Sequence, residues 1–267
     1  MGSAGTRRRI VVALDTGSLS RIAIEAAAGL AAGLSADVLA MFVEDVKLLR
    51  LAGLPFAQEM GGASATRRPL QATDMERALA VQARQLRRTL EETAKRLPFS
   101  WSLEIVRGDL LDIALGQAAA DLLVLGRTRR PGFPGPEQRR ASSRPLPHIG
   151  SRRIVGVFDE SDAGLRTLEA AYALAHTAHA PLVVLVRAAR ADRVTALREQ
   201  ARVWLAERGA VASAYSSIGA HDTAAMGHLA LLHGAAAVLL PEPERAAEAE
   251  GLAELVDDIA CPVVLIR

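Results

Sequence analysis

Apolar residues follow two alternating patterns along this chain: short continuous runs, and longer stretches with a single apolar face. The runs at 10–14 and 263–266 are typical of strands that are buried on both faces of a parallel sheet. The stretch at 74–97 has apolar residues at helical spacings of three, four and seven. Strands that alternate with helices of this length predict an α/β fold with right-handed crossovers.

The first half predicts four strands and three helices. The strands lie at 10–14, 38–43, 101–106 and 122–125. The helices run from Ser18 or Ser20 to about residue 34, over 74–97 with Asp74 as the cap, and over 110–120. Residues 127–152 are rich in Arg and Pro and show no apolar period, which predicts a flexible linker. The first domain, residues 1–126, is therefore expected to lack its last helix and strand.

The second half repeats this order completely and predicts a second domain at 153–267. Its strands are expected at 154–158, 182–186, 211–216, 237–240 and 263–266. Its helices are expected at 163–177, 194–208, 223–233 and 246–259. Five strands and four helices form a doubly wound unit.

Composition narrows the class of protein. The 267 residues suffice for two domains, and half of them are hydrophobic with few aromatics, so the core is expected to be aliphatic. No apolar stretch reaches the ~20 residues that cross a bilayer, and the start of the chain lacks an apolar signal segment. With its single cysteine, Cys261, the chain is expected in a reducing cytoplasm and away from membranes.

Two near-identical segments begin the two halves. Residues 9–15 read Arg-Ile-Val-Val-Ala-Leu-Asp, and residues 153–159 read Arg-Ile-Val-Gly-Val-Phe-Asp. Further along, Gly108-Asp109 precedes a helix, 121–126 reads Asp-Leu-Leu-Val-Leu-Gly, and the chain closes with Ala-Cys-Pro and a strand. In order and spacing, these segments resemble the universal stress protein family in its tandem form. The resemblance implies two flavodoxin-like (Rossmann-like) sheets of strand order 3-2-1-4-5.

The same resemblance implies a site for ATP, which many members bind between the end of strand one, the end of strand two and a glycine loop after strand four. Asp15, Val43 and Gly126 match these places in the first domain. The family's second glycine is replaced by Arg129, so Arg127 and Arg129 are candidate phosphate ligands through their side chains. Asp15 has a second interpretation, as a helix cap.

The second domain has a poorer match to the nucleotide site. Pro241-Glu242-Pro243-Glu244 replaces the glycine loop, and its two carboxylates would repel a triphosphate. Asp159 is therefore expected to cap the following helix.

Other candidate chemistry is weaker. His221, His228 and His233 do not share a helix face, and Cys261 lies before a buried strand, so solvated histidines and an inert thiol are expected instead of a metal site or a nucleophile. Ser142 and Ser143 follow Arg139-Arg140 and could be phosphorylated, although serine is also ordinary in a polar loop. The Leu-rich segment at 47–60 is expected to pack within the chain.

The leading functional hypothesis is a non-enzymatic stress-response protein that acts through contacts with an unknown protein partner, its nucleotide binding weak or lost. The alternative is an ATP-binding switch, with or without slow hydrolysis, that uses the first domain. Nucleic-acid binding is disfavoured, because the Arg-rich loop has one aromatic residue, Phe133, and the net charge is only +2.

The last strand raises a question of assembly, because an apolar edge invites aggregation. Either a second chain or the first domain of its own chain should cover residues 263–266. We expect a homodimer through this strand, since isologous pairing closes without leftover surface.

Overall fold

The computed structural model describes residues 7–15, 20–46, 50, 54, 58–60, 67–69, 72–126, 152–220, 222–243, 246–259 and 261–267. Within them, eleven strands and seven helices are present. The strands are β1 Arg9–Leu14, β2 Asp37–Asp45, β3 Gln58–Met60, β4 Arg67–Pro69, β5 Trp101–Gly108, β6 Leu122–Leu125, β7 Arg153–Phe158, β8 Leu182–Ala188, β9 Ala214–Gly219, β10 Ala235–Pro241 and β11 Val263–Ile266. The helices are α1 Ser20–Leu34, α2 Ala72–Arg96, α3 Leu110–Leu115, α4 Asp162–Ala178, α5 Ala191–Ala206, α6 Thr223–Leu232 and α7 Ala246–Asp258.

Nine strands form one continuous sheet, in the order β5-β2-β1-β6-β11-β10-β7-β8-β9. We call β1 to β6 with α1 to α3 the first unit, and β7 to β11 with α4 to α7 the second unit. The α/β class and the strand order are confirmed: the second unit reads 3-2-1-4-5, and the first unit reads 3-2-1-4. The expectation of two separate sheets is wrong, because β11 pairs with β6 and joins the two. Strands β3 and β4 form a separate antiparallel pair.

The β6–β11 pair is the joint between the units and the only antiparallel pair of the described nine-stranded sheet. Val264 faces Val124, and Leu265 faces Leu123. On its other edge β11 pairs in parallel with β10. Of the two arrangements expected for this strand, the structure therefore shows coverage by the chain's own first unit. Pairing of β11 with a second copy was the wrong expectation, since both its edges are occupied; dimerisation itself stays a prediction.

The helices cover both faces of the sheet, as a doubly wound fold requires. Helices α1, α2, α4 and α5 contribute to the core on one face, and α3, α6 and α7 contribute to the core on the other. Helices α1 and α4 pack closely: a Cβ built on Gly29 would lie 2.8 Å from Leu174 Cδ1, and one on Gly33 would lie 3.0 Å from Ala173 Cβ. The two units are thus joined by a helix pair as well as by strands.

Arg267, directly after β11, strengthens the joint. Its guanidinium donates to the Glu242 carboxylate at 2.7 and 2.8 Å, to the Leu115 carbonyl at 3.0 Å and to the Gln117 carbonyl. Glu242 follows β10 of the second unit, whereas Leu115 ends α3 of the first. One side chain therefore ties both units together.

Several predicted boundaries needed correction. The helix expected over 110–120 ends at Leu115, because residues 116–120 turn back through local hydrogen bonds. The strand expected at 211–216 runs over Ala214–Gly219, since the chain first turns through Gly209 at φ +67°. Asp74 lies inside the first turn of α2 instead of capping it. Residues 127–151, with the predicted linker, lie outside the described residues, as does most of the 47–60 segment.

Candidate functional site

The first unit brings three predicted site residues to one edge of the sheet. Because β1 pairs in parallel with β2 on one side and β6 on the other, the carboxyl ends of the three strands lie side by side. Asp15 follows β1 and is half-buried, Val43 is buried near the end of β2, and Gly126 follows β6. Arg127 and Arg129 lie outside the described residues. The geometry places three of the five predicted residues together, and their binding role stays a prediction.

Packing explains the glycine at position 126. Its N–H donates to the Ala13 carbonyl at 3.0 Å. A Cβ at this position would lie 3.0 Å from Leu14 Cδ2 and 3.5 Å from the Ala23 Cβ of α1. A larger side chain would need Leu14 to shift by a few tenths of an ångström, so packing alone favours a glycine here, with or without a ligand.

Carboxylates surround this edge. Glu44 and Asp45 end β2, and Asp109 caps α3 by accepting from the Leu111 N–H at 3.1 Å. The Arg107 guanidinium donates to Glu44 at 2.9 Å, and this hydrogen bond raises the pKa of Arg107. The one basic side chain that β5 brings to this edge is thus paired, and the described rim is net acidic, which does not favour a triphosphate.

The strand registers identify the equivalent positions in the second unit. Ile10 pairs with Val38 just as Ile154 pairs with Leu182, so Arg187 corresponds to Val43. On the other side of β1, Ile10 pairs with Leu122, just as Ile154 pairs with Ala237 on the other side of β7. Pro241 therefore corresponds to Gly126. Asp159 corresponds to Asp15. The second unit therefore has an arginine where the first has a valine, and a proline where the first has a glycine.

Arg187 forms an ion pair with Asp159. Its Nε donates to Asp159 Oδ2 at 3.0 Å, and its Nη2 donates to the same oxygen. The other carboxylate oxygen accepts from the Ser161 N–H at 3.0 Å and from its hydroxyl at 2.5 Å. Both side chains are mostly buried, with exposed fractions of 22% for Arg187 and 14% for Asp159. The carboxylate is thus fully engaged inside the protein.

The pKa of Asp159 is lowered by this network. Burial acts in the opposite direction and raises it, but the hydrogen bonds from Ser161 and Arg187 outweigh burial. The carboxyl is therefore held in its charged form at neutral pH.

Asp159 does not cap the following helix, contrary to expectation. Ser161 is the cap of α4, and its hydroxyl accepts from the Gly164 N–H at 2.9 Å. Asp159 instead holds Ser161 in place. A Cβ built on Gly164 would lie 2.8 Å from the backbone N and O of Asp159, so only glycine permits this close approach.

Arg187 is not among the site residues that the sequence predicts. The repeat at 9–15 and 153–159 nevertheless contains the signal, because the same offset aligns Phe42-Val43 with Val186-Arg187 and so places a charge at the predicted site.

Those of the remaining candidates that the structure describes do not form a second centre. His233 Nε2 lies 3.3 Å from the Ser216 hydroxyl, Cys261 is buried, and His221, Ser142 and Ser143 lie outside the described residues. No group of three metal-ligating side chains occurs among the described residues. In the same part of the chain, no helix is long and apolar enough to cross a membrane.

Comparison with known proteins identifies the fold. No family model and no curated protein matches the chain. Among solved structures, a universal stress protein from Archaeoglobus fulgidus DSM 4304 is 10% identical, covers 97% of this chain and 98% of its own, and superposes with a TM-score of 0.53. A universal stress protein in complex with cAMP (18% identity, TM-score 0.38) covers 43% of this chain and 96% of its own. A universal stress family protein from Burkholderia pseudomallei (24% identity, TM-score 0.34) covers 45% and 98%. The chain has the fold of universal stress proteins.

Proposed function

We propose that this chain is a tandem universal stress-type protein, which acts in the cytoplasm through contacts with a protein partner and whose nucleotide binding is weak or lost. The fold supports the family assignment, since the likeness to the Archaeoglobus protein extends over both units. The observation that carries the loss of nucleotide binding is the Asp159–Arg187 ion pair at one of the two equivalent sites.

Two features argue against a nucleotide in the second unit. The carboxylate that would face a ligand already accepts hydrogen bonds from Arg187 and Ser161. Pro241 places a ring where the first unit has Gly126, so this strand end lacks the space that a glycine leaves for the close approach of a phosphate. A ligand would have to replace internal hydrogen bonds that the protein already makes, and leaving a buried charged group without a partner is costly.

A second candidate function is an ATP-binding switch that uses the first unit only. It is favoured by the adjacency of Asp15, Val43 and Gly126 at three neighbouring strand ends. The acidic rim formed by Glu44, Asp45 and Asp109 opposes it.

Thermal melting of the full chain with and without Mg-ATP separates the two functions. Under the leading proposal, the melting temperature stays unchanged at millimolar Mg-ATP. Under the alternative it rises, because a ligand at ~100 times its Kd stabilises by roughly 2.7 kcal/mol. The rise should then vanish in Asp15→Ala and persist in Asp159→Asn, the matched change in the second unit. A rise that Asp159→Asn abolishes would refute both assignments.

A further inference from the structure

A cavity of about 120 Å³ lies in the second unit, between α6 and α7 at the carboxyl ends of β8 to β10. It is lined by Arg187, Gly219, Ala220, Asp222, Thr223, Met226, Leu240, Pro241, Pro243, Gly251, Leu252 and Leu255. Of these residues, Arg187 and Pro241 occupy the positions equivalent to Val43 and Gly126 of the predicted nucleotide site, and the others have no counterpart among the predicted site residues. Their chemistry indicates a different kind of ligand.

The size of the cavity limits the size of the ligand it can bind. Pockets for drug-sized ligands and cofactors typically span ≈ 300–1,000 Å³, whereas a cavity of about 150 Å³ lined by apolar side chains binds benzene. The present cavity is therefore matched to one ring or a branched chain. Its body is apolar, since the side chains of Met226, Leu240, Leu252 and Leu255 on its wall are all buried.

Arg187 supplies the polar wall. Its Nε and Nη2 are used by Asp159, while Nη1 has no acceptor among the described residues. One pair of N–H donors is thus left on a side chain that borders an apolar space. Such a donor favours a ligand with a single hydrogen-bond acceptor.

The charges around the cavity limit the charge of its ligand. Asp159 neutralises Arg187, and Asp222 adds a further carboxylate, which accepts from the Ala225 N–H at 2.8 Å as the cap of α6. Arg187, Asp159 and Asp222 together thus carry one net negative charge, which disfavours an anionic ligand. A neutral acceptor, such as an amide or ketone oxygen, fits the same donor without that repulsion.

We propose that this cavity binds a small neutral molecule with a benzene-sized apolar body and one carbonyl acceptor, which Arg187 Nη1 binds. The site disfavours carboxylates by charge, and its volume fits a ligand of one ring better than a nucleotide. It is independent of whether the first unit binds ATP.

Methionine-methyl NMR of the full chain tests the proposal with benzamide as the probe. Met226 lines the cavity and Met41 is buried in the first unit, so one protein carries both the reporter and the reference. Benzamide should shift the Met226 methyl signal with a millimolar Kd, as expected for a ligand of about nine heavy atoms, and leave Met41 in place. Benzoate, which has the same size but a charge, should bind at least tenfold more weakly.

Two variants localise the binding. Leu255→Phe fills the cavity and should abolish the Met226 shift, while Leu231→Phe, at an exposed position of α6, should leave it unchanged. Arg187→Met removes the donor but keeps an apolar stem, and should weaken benzamide about tenfold. The proposal is overturned if benzamide causes no Met226 shift at 50 mM, if benzoate binds equally well, or if binding survives in Leu255→Phe.

Discussion

The β6–β11 joint can be tested by cross-linking, because its register is defined residue by residue. Val124 faces Val264, and Leu123 faces Leu265. In a Cys261→Ala background, cysteines at 124 and 264, or at 123 and 265, should form a disulfide within one chain. Residues opposite each other in an antiparallel pair alternate between Cα separations of ≈ 5.5 Å and ≈ 4.5 Å, and both lie within the 4.4–6.8 Å range of disulfides.

The expected stabilisation follows from the length of the closed loop. A cross-link between positions 124 and 264 closes about 140 residues, for which the chain-entropy model gives about 5 kcal/mol. Each Val→Cys change removes part of a fully buried side chain and costs about 1 kcal/mol. The oxidised variant is therefore expected to be about 5 kcal/mol more stable than its reduced form and about 3 kcal/mol more stable than the Cys261→Ala parent, both measured by the urea midpoint.

The matched control pairs Val124→Cys with Leu265→Cys. A shift of one residue moves a side chain to the opposite face of the sheet, so this pair should stay reduced. Non-reducing electrophoresis reads both outcomes, since a disulfide within a chain gives a faster monomer and one between chains gives a dimer. A covalent dimer from Val264→Cys alone, or cross-linking of the control pair, would refute the internal joint.

Three further outcomes are expected. Gly164→Ala should destabilise the protein by about 1–3 kcal/mol through overlap with backbone atoms, whereas Gly227→Ala, with ordinary contacts and better helix propensity, should be neutral or stabilising; equal urea midpoints would contradict this. Because the pKa of Asp159 is lowered by folding, its contribution is complete above the unfolded pKa of about 4 and is lost as the pH falls through the lower folded value, so Asp159→Asn should lose less stability than the wild type between pH 5 and pH 3. Arg267→Met should lower the unfolding free energy by about 2–4 kcal/mol, because it removes hydrogen bonds that join the units; an unchanged midpoint would show that the joint does not need them.

The fold could be predicted from the sequence because strands buried on both faces of a parallel sheet have a recognisable apolar pattern. Runs such as 10–14, 182–186 and 263–266 are apolar at consecutive positions, and helices of similar length separate them. The order of the strands, in contrast, was implied by the resemblance to universal stress proteins. Local turns were harder: Gly116 and Gly209 end or delay elements through backbone geometry that an apolar pattern does not contain.

The partner of β11 could not be chosen from the sequence. A strand that is apolar on both faces has the same composition whether β6 or a second copy pairs with its edge. The partner of β11 is decided by the side of β6 that faces away from β1. In a complete unit of strand order 3-2-1-4-5, the fifth strand of the first unit would pair there. Arg187 illustrates the same limit at the site, since its partner Asp159 is 28 residues away in the sequence and only the register of β7 with β8 brings them together.

The antiparallel joint also determines where the two sites lie relative to each other. Strands β1, β2, β5 and β6 run parallel to one another, and β7 to β11 do the same, but β6 and β11 run in opposite directions. The carboxyl ends of the strands in the first unit and those in the second unit therefore lie at opposite ends of the sheet along the strand direction. Arg267 is consistent with this, since it follows the carboxyl end of β11 and its N–H donates to the Asp121 carbonyl, just before β6 begins.

This arrangement separates the chemistry of the two edges. Asp15, Val43 and Gly126 lie at one edge, and Arg187 with its cavity lies at the other, so a ligand at one edge cannot contact a ligand at the other. Energetic coupling between them would have to pass through β6, β11 and the α1–α4 contact. If the first unit binds ATP, as the alternative function requires, we expect benzamide and Mg-ATP to raise the melting temperature independently, because those elements are buried and tightly packed. A benzamide Kd that changes in the presence of Mg-ATP would show instead that the joint has two discrete arrangements.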